Sequence, residues 1–256
     1  MANEGSDPGA VRRSWWLWAG IGFAGVLLAA VLAYFLLRPA AVEEPSSKGQ
    51  PAVAAGAPPV PPSTWGPEML ATLDQARSDY GGALAERVCV SCHGVDGASS
   101  TADRPSLAGQ SAAAIYKQLL DFRTGARHDP FMTPVAQSLV ATDLANLALF
   151  YGRHAHPDGE LGRRAQPFNF GVQRLVAEGD STRGIAACNG CHVNGGNGPV
   201  ETPVLIGQQR QYLANQLRAY RDGRRRNDID QRMRNIAGQL TDAEIEGLAA
   251  YYQGVE

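Results

Sequence analysis

Cys89-Val90-Ser91-Cys92-His93 constrains this 256-residue chain more than any other stretch, because it recurs as Cys188-Asn189-Gly190-Cys191-His192. Two thiols one helical turn apart, followed at once by an imidazole, form the Cys-x-x-Cys-His sequence that attaches a c-type haem. Both sulfurs can add to vinyl groups on one edge of the macrocycle, and the adjacent histidine reaches the iron from one face. The chain has four cysteines, and the two motifs use all of them. A four-thiolate zinc site or a dithiol redox pair would also employ Cys-x-x-Cys units. Neither explains a histidine directly after both pairs. Two covalently bound haem c groups, each with one iron held by His93 or His192, are therefore expected.

The N-terminal quarter reads differently. Trp15 to Leu37 is a run of 23 residues without a charge, long enough to cross a hydrocarbon core of about 30 Å as a helix. Arg12 and Arg13 precede it, and Trp15, Trp16 and Trp18 sit where an aromatic belt would lie. A cleaved secretory signal is the alternative, but its apolar region is normally about 7–15 residues. A retained anchor places residues 1–14 in the cytoplasm and the rest outside. That orientation suits haem attachment on the periplasmic side of a bacterial inner membrane. Residues 38–66, rich in Pro and Ala, read as a semi-extended tether.

Beyond each haem motif the chain repeats. Pro105-Ser106-Leu107-Ala108-Gly109-Gln110 answers to Pro203-Val204-Leu205-Ile206-Gly207-Gln208, and Lys117-Gln118-Leu119 to Asn215-Gln216-Leu217. Phe122-Arg123-Thr124-Gly125 answers to Tyr220-Arg221-Asp222-Gly223, and Leu144, Leu147 and Tyr151 to Ile245, Leu248 and Tyr252. A period of about 100 residues fits a duplicated domain rather than a solenoid unit. Apolar positions at i, i+3, i+4 and i+7 make each copy helical. A helix is expected from near Pro67, and a second over Asp79 to Cys89. Thr241 and Glu244 form a capping box for the last helix; Val140 stands where Thr241 does, so the first copy's cap is missing or moved to Thr142. The expected organisation is a cytochrome-sized domain over 67–153, a linker over 154–168 and a second domain over 169–256.

Each iron needs a sixth ligand. Met132 lies 39 residues after His93 and Met233 lies 41 after His192, matched once three extra residues are allowed in the second copy. A lone methionine usually fills a core. Two at equivalent places, in loops dense with Pro, Arg, Asp and Asn, read as thioether ligands, since His/Met ligation serves electron transfer. His128 competes for the first iron but has no counterpart in the second copy, and is expected on the surface. His154 and His156 read as linker residues.

From about Tyr80 onward the chain resembles the cytochrome c4 family. The carrying residues are Pro105 to Gln110, Lys117-Gln118-Leu119, Gly125-Ala126-Arg127, Asp129-Pro130-Phe131-Met132, Cys188 to His192, Tyr220 to Gly223 and Met233. The resemblance implies an all-α fold of two tandem cytochrome c-like domains related by a pseudo-twofold axis, here with one N-terminal transmembrane helix added. It implies that Pro105 and Pro203 offer backbone carbonyls to the axial histidines, which would fix each ring. It also implies haem-propionate neighbours in Gln110, Gln208, Arg123 and Arg221. Family members often have an aromatic where Ala114 stands; here Tyr212 supplies it in the second half alone. The membrane anchor is a departure from the family.

A net charge of -2 argues against a nucleic-acid partner. Eight arginines against three acids between Arg210 and Arg234 form either a solvated helix face or a patch that steers an acidic partner. The resemblance implies an electron carrier, not an enzyme, linking a quinol-oxidising complex to a haem–copper oxidase. A permanently bound cytochrome subunit of a dehydrogenase or oxidase is the alternative. A dihaem peroxidase or thiosulfate dehydrogenase would need a differently ligated iron, and no cysteine is spare.

Overall fold

In the first half, helix α1 (Pro67–Asp74) opens on a proline, whose missing N–H and fixed φ suit the first helical turn. Helix α2 (Ser78–Val88) follows, then the short α3 (Val90–His93), α4 (Ala112–Thr124), α5 (Met132–Gln137) and α6 (Ala141–Gly152). The second half contains α7 (Phe170–Ala177), a 3-10 turn (Cys188–Gly190), α8 (Arg210–Arg221), a second 3-10 turn (Ile229–Gln231), α9 (Arg232–Ala237) and α10 (Asp242–Gln253). This computed structural model describes residues 64–155, 169–192 and 199–254. The uncharged run 15–37, its leader 1–14, the tether up to residue 63 and the linker residues 156–168 lie outside the described residues. No helix among the described residues is long and apolar enough to cross a membrane. Every regular element among them is helical, with one isolated antiparallel bridge between Asp180 and Ile185.

The helix limits follow from local chemistry. Ser111 caps α4 by accepting from the Ala114 N–H, and Gly125 ends that helix in the left-handed region at φ 85°. Asn169 caps α7 through the Val172 N–H. Thr241 and Glu244 close the full capping box on α10. On α6 the box survives by half: the Asp143 carboxylate accepts from the Val140 N–H at 3.2 Å, while the valine side chain has nothing to accept with. The cap is therefore missing and has not moved to Thr142.

Each half has its own core, built on the last helix. Leu144, Leu147, Ala148 and Tyr151 line one stripe of α6 and pack on Ala85, Ile115, Tyr116 and Leu139. Ile245, Leu248, Ala249 and Tyr252 repeat the stripe on α10 against Val172, Leu175, Val176 and Leu213. Each buried leucine or isoleucine contributes about 1.5–3 kcal/mol. Helices α2 and α6, and likewise α7 and α10, approach closely, and a glycine permits it. A Cβ on Gly81 would lie 2.1 Å from the Asn146 carbonyl oxygen, and one on Gly247 would lie 2.5 Å from Val172 Cγ2.

The two halves pack together as one compact unit through reciprocal contacts. Gln110 receives the Val204 N–H and donates to the Val204 carbonyl, at 2.7 and 2.9 Å. Gln208 does the same to Ser106, at 2.8 and 2.9 Å. Gln110 and Gln208 are equivalent positions, as are Ser106 and Val204, so this exchange is the signature of a pseudo-twofold axis.

Candidate haem sites

Helix α2 ends at Cys89, and the next turn closes with the His93 N–H donating to the Cys89 carbonyl at 3.0 Å. The second motif closes with the His192 N–H on the Cys188 carbonyl at 2.9 Å. Each Cys pair thus spans a single turn. Cys89 and Cys188 are half-buried, whereas Cys92 and Cys191 are exposed, and no disulfide joins any of the four. Burial pushes the Cys89 and Cys188 thiols up.

His93 Nδ1 lies 2.8 Å from the Pro105 carbonyl oxygen, and His192 Nδ1 lies 2.8 Å from that of Pro203. A carbonyl can only accept, so Nδ1 carries the proton and Nε2 keeps its lone pair for a metal. Burial pushes both imidazoles below their ordinary pKa, which also favours the neutral, ligating form. The hydrogen bond that the family resemblance implies is therefore present at both motifs.

Met132 is the first residue of α5 and Met233 the second of α9, and both are half-buried. Each segment is pinned by an aspartate. Asp129 Oδ1 accepts from the backbone N–H groups of Phe131 and Met132, both at 2.9 Å. Asp228 accepts from the Arg234 N–H and from its Nε, at 2.9 and 2.7 Å. In the sequence Asp129 stands out only as part of the family resemblance and Asp228 only as an acid of the arginine-rich stretch; their role in holding the methionine segments comes from the structure. The donor set at each site, two thiols, one neutral imidazole and one thioether, fits a covalent haem. A four-thiolate zinc site needs its ligands gathered in one place; among the described residues no group of three or more His, Cys, Asp or Glu side chains could hold a metal.

The residues that the resemblance places beside the propionates make the following contacts within the protein. Gln110 and Gln208 direct their amides to the opposite domain's backbone, as described above, and each also accepts from the next residue's N–H at 3.0 Å. Their conserved-looking position in the repeat reflects the domain interface, where an amide is the side chain that can both donate to and accept from one peptide unit. Arg221 pairs with Asp242 at 2.9 Å and Asp222 at 3.4 Å. Arg123, its counterpart, sits half-buried in the last turn of α4.

The arginine-rich stretch is mostly neutralised. Arg210 and Arg218 share Glu246, Arg224 meets Asp222, Arg232 meets Asp230 and Glu201, and Arg234 meets Asp228. His128 is exposed, and His154 Nδ1 donates to the Phe150 carbonyl at 2.8 Å while its ring packs on that of Phe150. His156 lies outside the described residues. Tyr212 reaches across the interface, its hydroxyl accepting from Arg127 at 3.2 Å, whereas Ala114 at the equivalent place is buried.

Two helical domains, each bearing a Cys-x-x-Cys-His turn, a carbonyl-oriented histidine and a matched methionine, define a two-domain c-type cytochrome. The family model for cytochrome c matches residues 78–148 and 176–256. The cytochrome c4 of Pseudomonas aeruginosa is 34% identical over 197 residues, covering 73% of this chain and 93% of that one. The crystal structure of reduced recombinant cytochrome c4 from Pseudomonas stutzeri superposes with a TM-score of 0.61 at 32% identity, over 71% of this chain and 100% of that one. A protein of Stutzerimonas stutzeri strain A1501 named as a thiosulfate dehydrogenase electron acceptor is 38% identical over 174 residues, covering 67% of this chain and 80% of its relative. The chain belongs to the cytochrome c4 family of dihaem cytochromes c.

Proposed function

We propose that the protein is a membrane-anchored dihaem electron carrier of the bacterial inner membrane, with its haem domains on the periplasmic side. The observation that carries the reading is the doubled ligand set. Each iron would be held by a neutral imidazole (His93, His192) and by a thioether (Met132, Met233). Bound haem supplies one-electron chemistry, and His/Met ligation raises its potential. The chain's residues fix each imidazole through Pro105 or Pro203 and pin each methionine segment through Asp129 or Asp228. With His93 or His192 and Met132 or Met233 so engaged, each iron would have no coordination site open to a substrate, which disfavours an enzyme. The donor would be a quinol-oxidising complex and the acceptor a haem–copper oxidase. The uncharged run 15–37 would tether the carrier near both.

A second donor is favoured by one observation, the 38% identity to a protein named as a thiosulfate dehydrogenase electron acceptor. On that reading the carrier takes electrons from a thiosulfate-oxidising enzyme rather than a quinol-oxidising one. Stopped-flow reduction of the purified dihaem protein by each candidate donor separates the two.

The ligand assignment is tested in the near-infrared spectrum of the oxidised protein. Met132→His and Met233→His should each remove about half of the sulfur-to-iron band; an unchanged band in both variants would refute it. Mass spectrometry of the mature protein from membranes tests the anchor, which a mature N-terminus beyond Leu37 would exclude.

A further inference from the structure

The residue before each axial methionine reaches back to the turn that presents the proline carbonyl. In the first domain that turn closes with the Arg104 N–H on the Thr101 carbonyl at 3.1 Å, one residue before Pro105. The Arg104 guanidinium lies 4.5 Å from the centre of the Phe131 ring, and Phe131 directly precedes Met132. In the second domain the equivalent turn closes with the Thr202 N–H on the Pro199 carbonyl at 2.8 Å, one residue before Pro203. Glu201 of that turn pairs with Arg232 at 3.4 Å, and Arg232 directly precedes Met233. The loop that orients each histidine is thereby clasped to the segment that carries the methionine. The cation has changed sides, standing on the proline turn in the first domain and on the methionine segment in the second.

The two clasps are alike in strength but not in what they hold. A guanidinium over a partly exposed ring and a half-exposed ion pair are both modest contacts. In the first domain Asp129 takes the N–H of Met132 itself, and the segment has ordinary backbone angles. In the second, the span from Pro203 to Met233 is 30 residues against 27 from Pro105 to Met132. The added length turns through Asp230 and Gln231, at φ 53° and 58°, immediately before Arg232. Among the described residues these two are the non-glycines in the left-handed region. Aspartate is common there and glutamine is not, so Gln231 carries most of the strain. Asp228 pins Arg234, the residue after the methionine, rather than Met233. Arg232 also meets Asp230 at 2.9 Å, so one guanidinium joins the strained turn to Glu201.

A left-handed glutamine disfavours its conformer about tenfold, and that strain is relieved if the segment moves away. The closed Met233 segment therefore depends on its clasp in a way that the Met132 segment does not.

We propose that Glu201 and Arg232 are positioning residues that latch a strained segment onto the second iron, so that Met233 is the thioether released first and the second iron is the one a small exogenous ligand reaches first. The proposal rests on the His/Met ligation put forward above. Arg104 and Phe131 hold Met132 in the same manner on an unstrained segment, and that ligand stays.

The test follows imidazole binding to the oxidised dihaem protein in stopped flow, through loss of the near-infrared sulfur-to-iron band. The wild type should lose the band in two phases of equal amplitude. Met132→His, which leaves a thioether at the second iron alone, should keep only the fast phase. Glu201→Gln should speed the fast phase about threefold, an exposed ion pair's worth. Gln231→Gly should slow it about tenfold, because glycine takes the left-handed region without strain. Arg104→Gln should speed the slow phase alone, about threefold. The band at rest, unchanged in Glu201→Gln, Gln231→Gly and Arg104→Gln, reports that fold and ligation survive each of these substitutions. A wild type without the band for two haems refutes the ligation and the latch with it. With the band intact, three results overturn the latch and leave the ligation standing: a single phase, survival of the slow phase in Met132→His, or a fast phase that neither Glu201→Gln nor Gln231→Gly moves.

Discussion

The two halves of this cytochrome present the same ligand types from different supports. In the first, the Cys-x-x-Cys turn is α-helical and continues α2; in the second, Asn189-Gly190 tightens it to a 3-10 turn. Tyr252 donates its hydroxyl to Asn189 at 3.1 Å, but Val90 stands at the equivalent place, and the buried Tyr151 hydroxyl meets only the Cys89 sulfur. The first half has the extra helix α1, which packs on α6, and a half-capped last helix; the second has a full capping box backed by Arg183. Before Met233 the chain has three more residues than before Met132, with Asp230 and Gln231 in the left-handed region at φ 53° and 58°. A duplicated domain can therefore keep its iron-binding residues while the packing behind them diverges, because an axial ligand needs only the carbonyl, the turn and the aspartate that place it.

The largest test of that contrast is at the interface. The buried Lys117 ammonium donates to Asp121 and, at 2.8 Å, to the Asn227 carbonyl; Lys117→Met removes that ammonium and should cost about 3–5 kcal/mol, while Asn215→Ala, its counterpart, should cost less than about 0.5. Lys117→Met with Asp121→Leu should recover most of the loss, since an apolar pair of similar size can replace a buried ion pair. Equal losses in Lys117→Met and Asn215→Ala, by denaturant unfolding of the dihaem protein, would erase the asymmetry.

Next comes the crossing of the terminal helices. Gly81→Ala drives a methyl into the Asn146 backbone carbonyl and should cost at least about 1–3 kcal/mol. Gly247→Ala meets a valine side chain, which can shift, and should cost less. The reverse order in thermal unfolding would show that α2 and α6 are not the tighter pair.

The tyrosines give a smaller and cleaner contrast. Tyr252→Phe removes a hydrogen bond and should cost about 1 kcal/mol, while Tyr151→Phe should be neutral or slightly stabilising. Val90→Asn should give Tyr151 its missing partner and reverse its behaviour.

The smallest effect depends on pH. The Arg183 guanidinium and the Thr241 cap bring Glu244 from its ordinary 4.5 down to about 2. A depressed carboxylate contributes its stability above the unfolded pKa and loses it as pH falls through the folded one. The second domain should therefore lose this support between about pH 4.5 and 2, and Arg183→Gln should flatten that part of its acid-unfolding profile. An unchanged profile would show that the exposed charges are screened out.

What the sequence determined by itself is what local chemistry determines. The two haem motifs and the stripes on α6 and α10 depend on residues within one turn or one helical face, so a spacing of three or four residues is enough to read them. The Thr241–Glu244 box and the loss of its equivalent at Val140 were legible for the same reason. The methionines were legible through the repeat, 39 and 41 residues after their histidines, and the proline carbonyls, 12 and 11 residues away, through the family resemblance. The interface was not. The family resemblance reads Gln110 and Gln208 as propionate neighbours, but it does not disclose the hydrogen bonds that both make across the interface, to partners 94 and 102 residues away. The Lys117–Asp121–Asn227 cluster and the Arg127–Arg225 pair likewise join residues about 100 apart, one in each domain. Nothing in a single helix specifies which face of its twin it will meet. Only docking about the pseudo-twofold axis brings equivalent residues opposite one another, and only there do lysine against asparagine and aspartate against alanine make the two sides of the interface unlike.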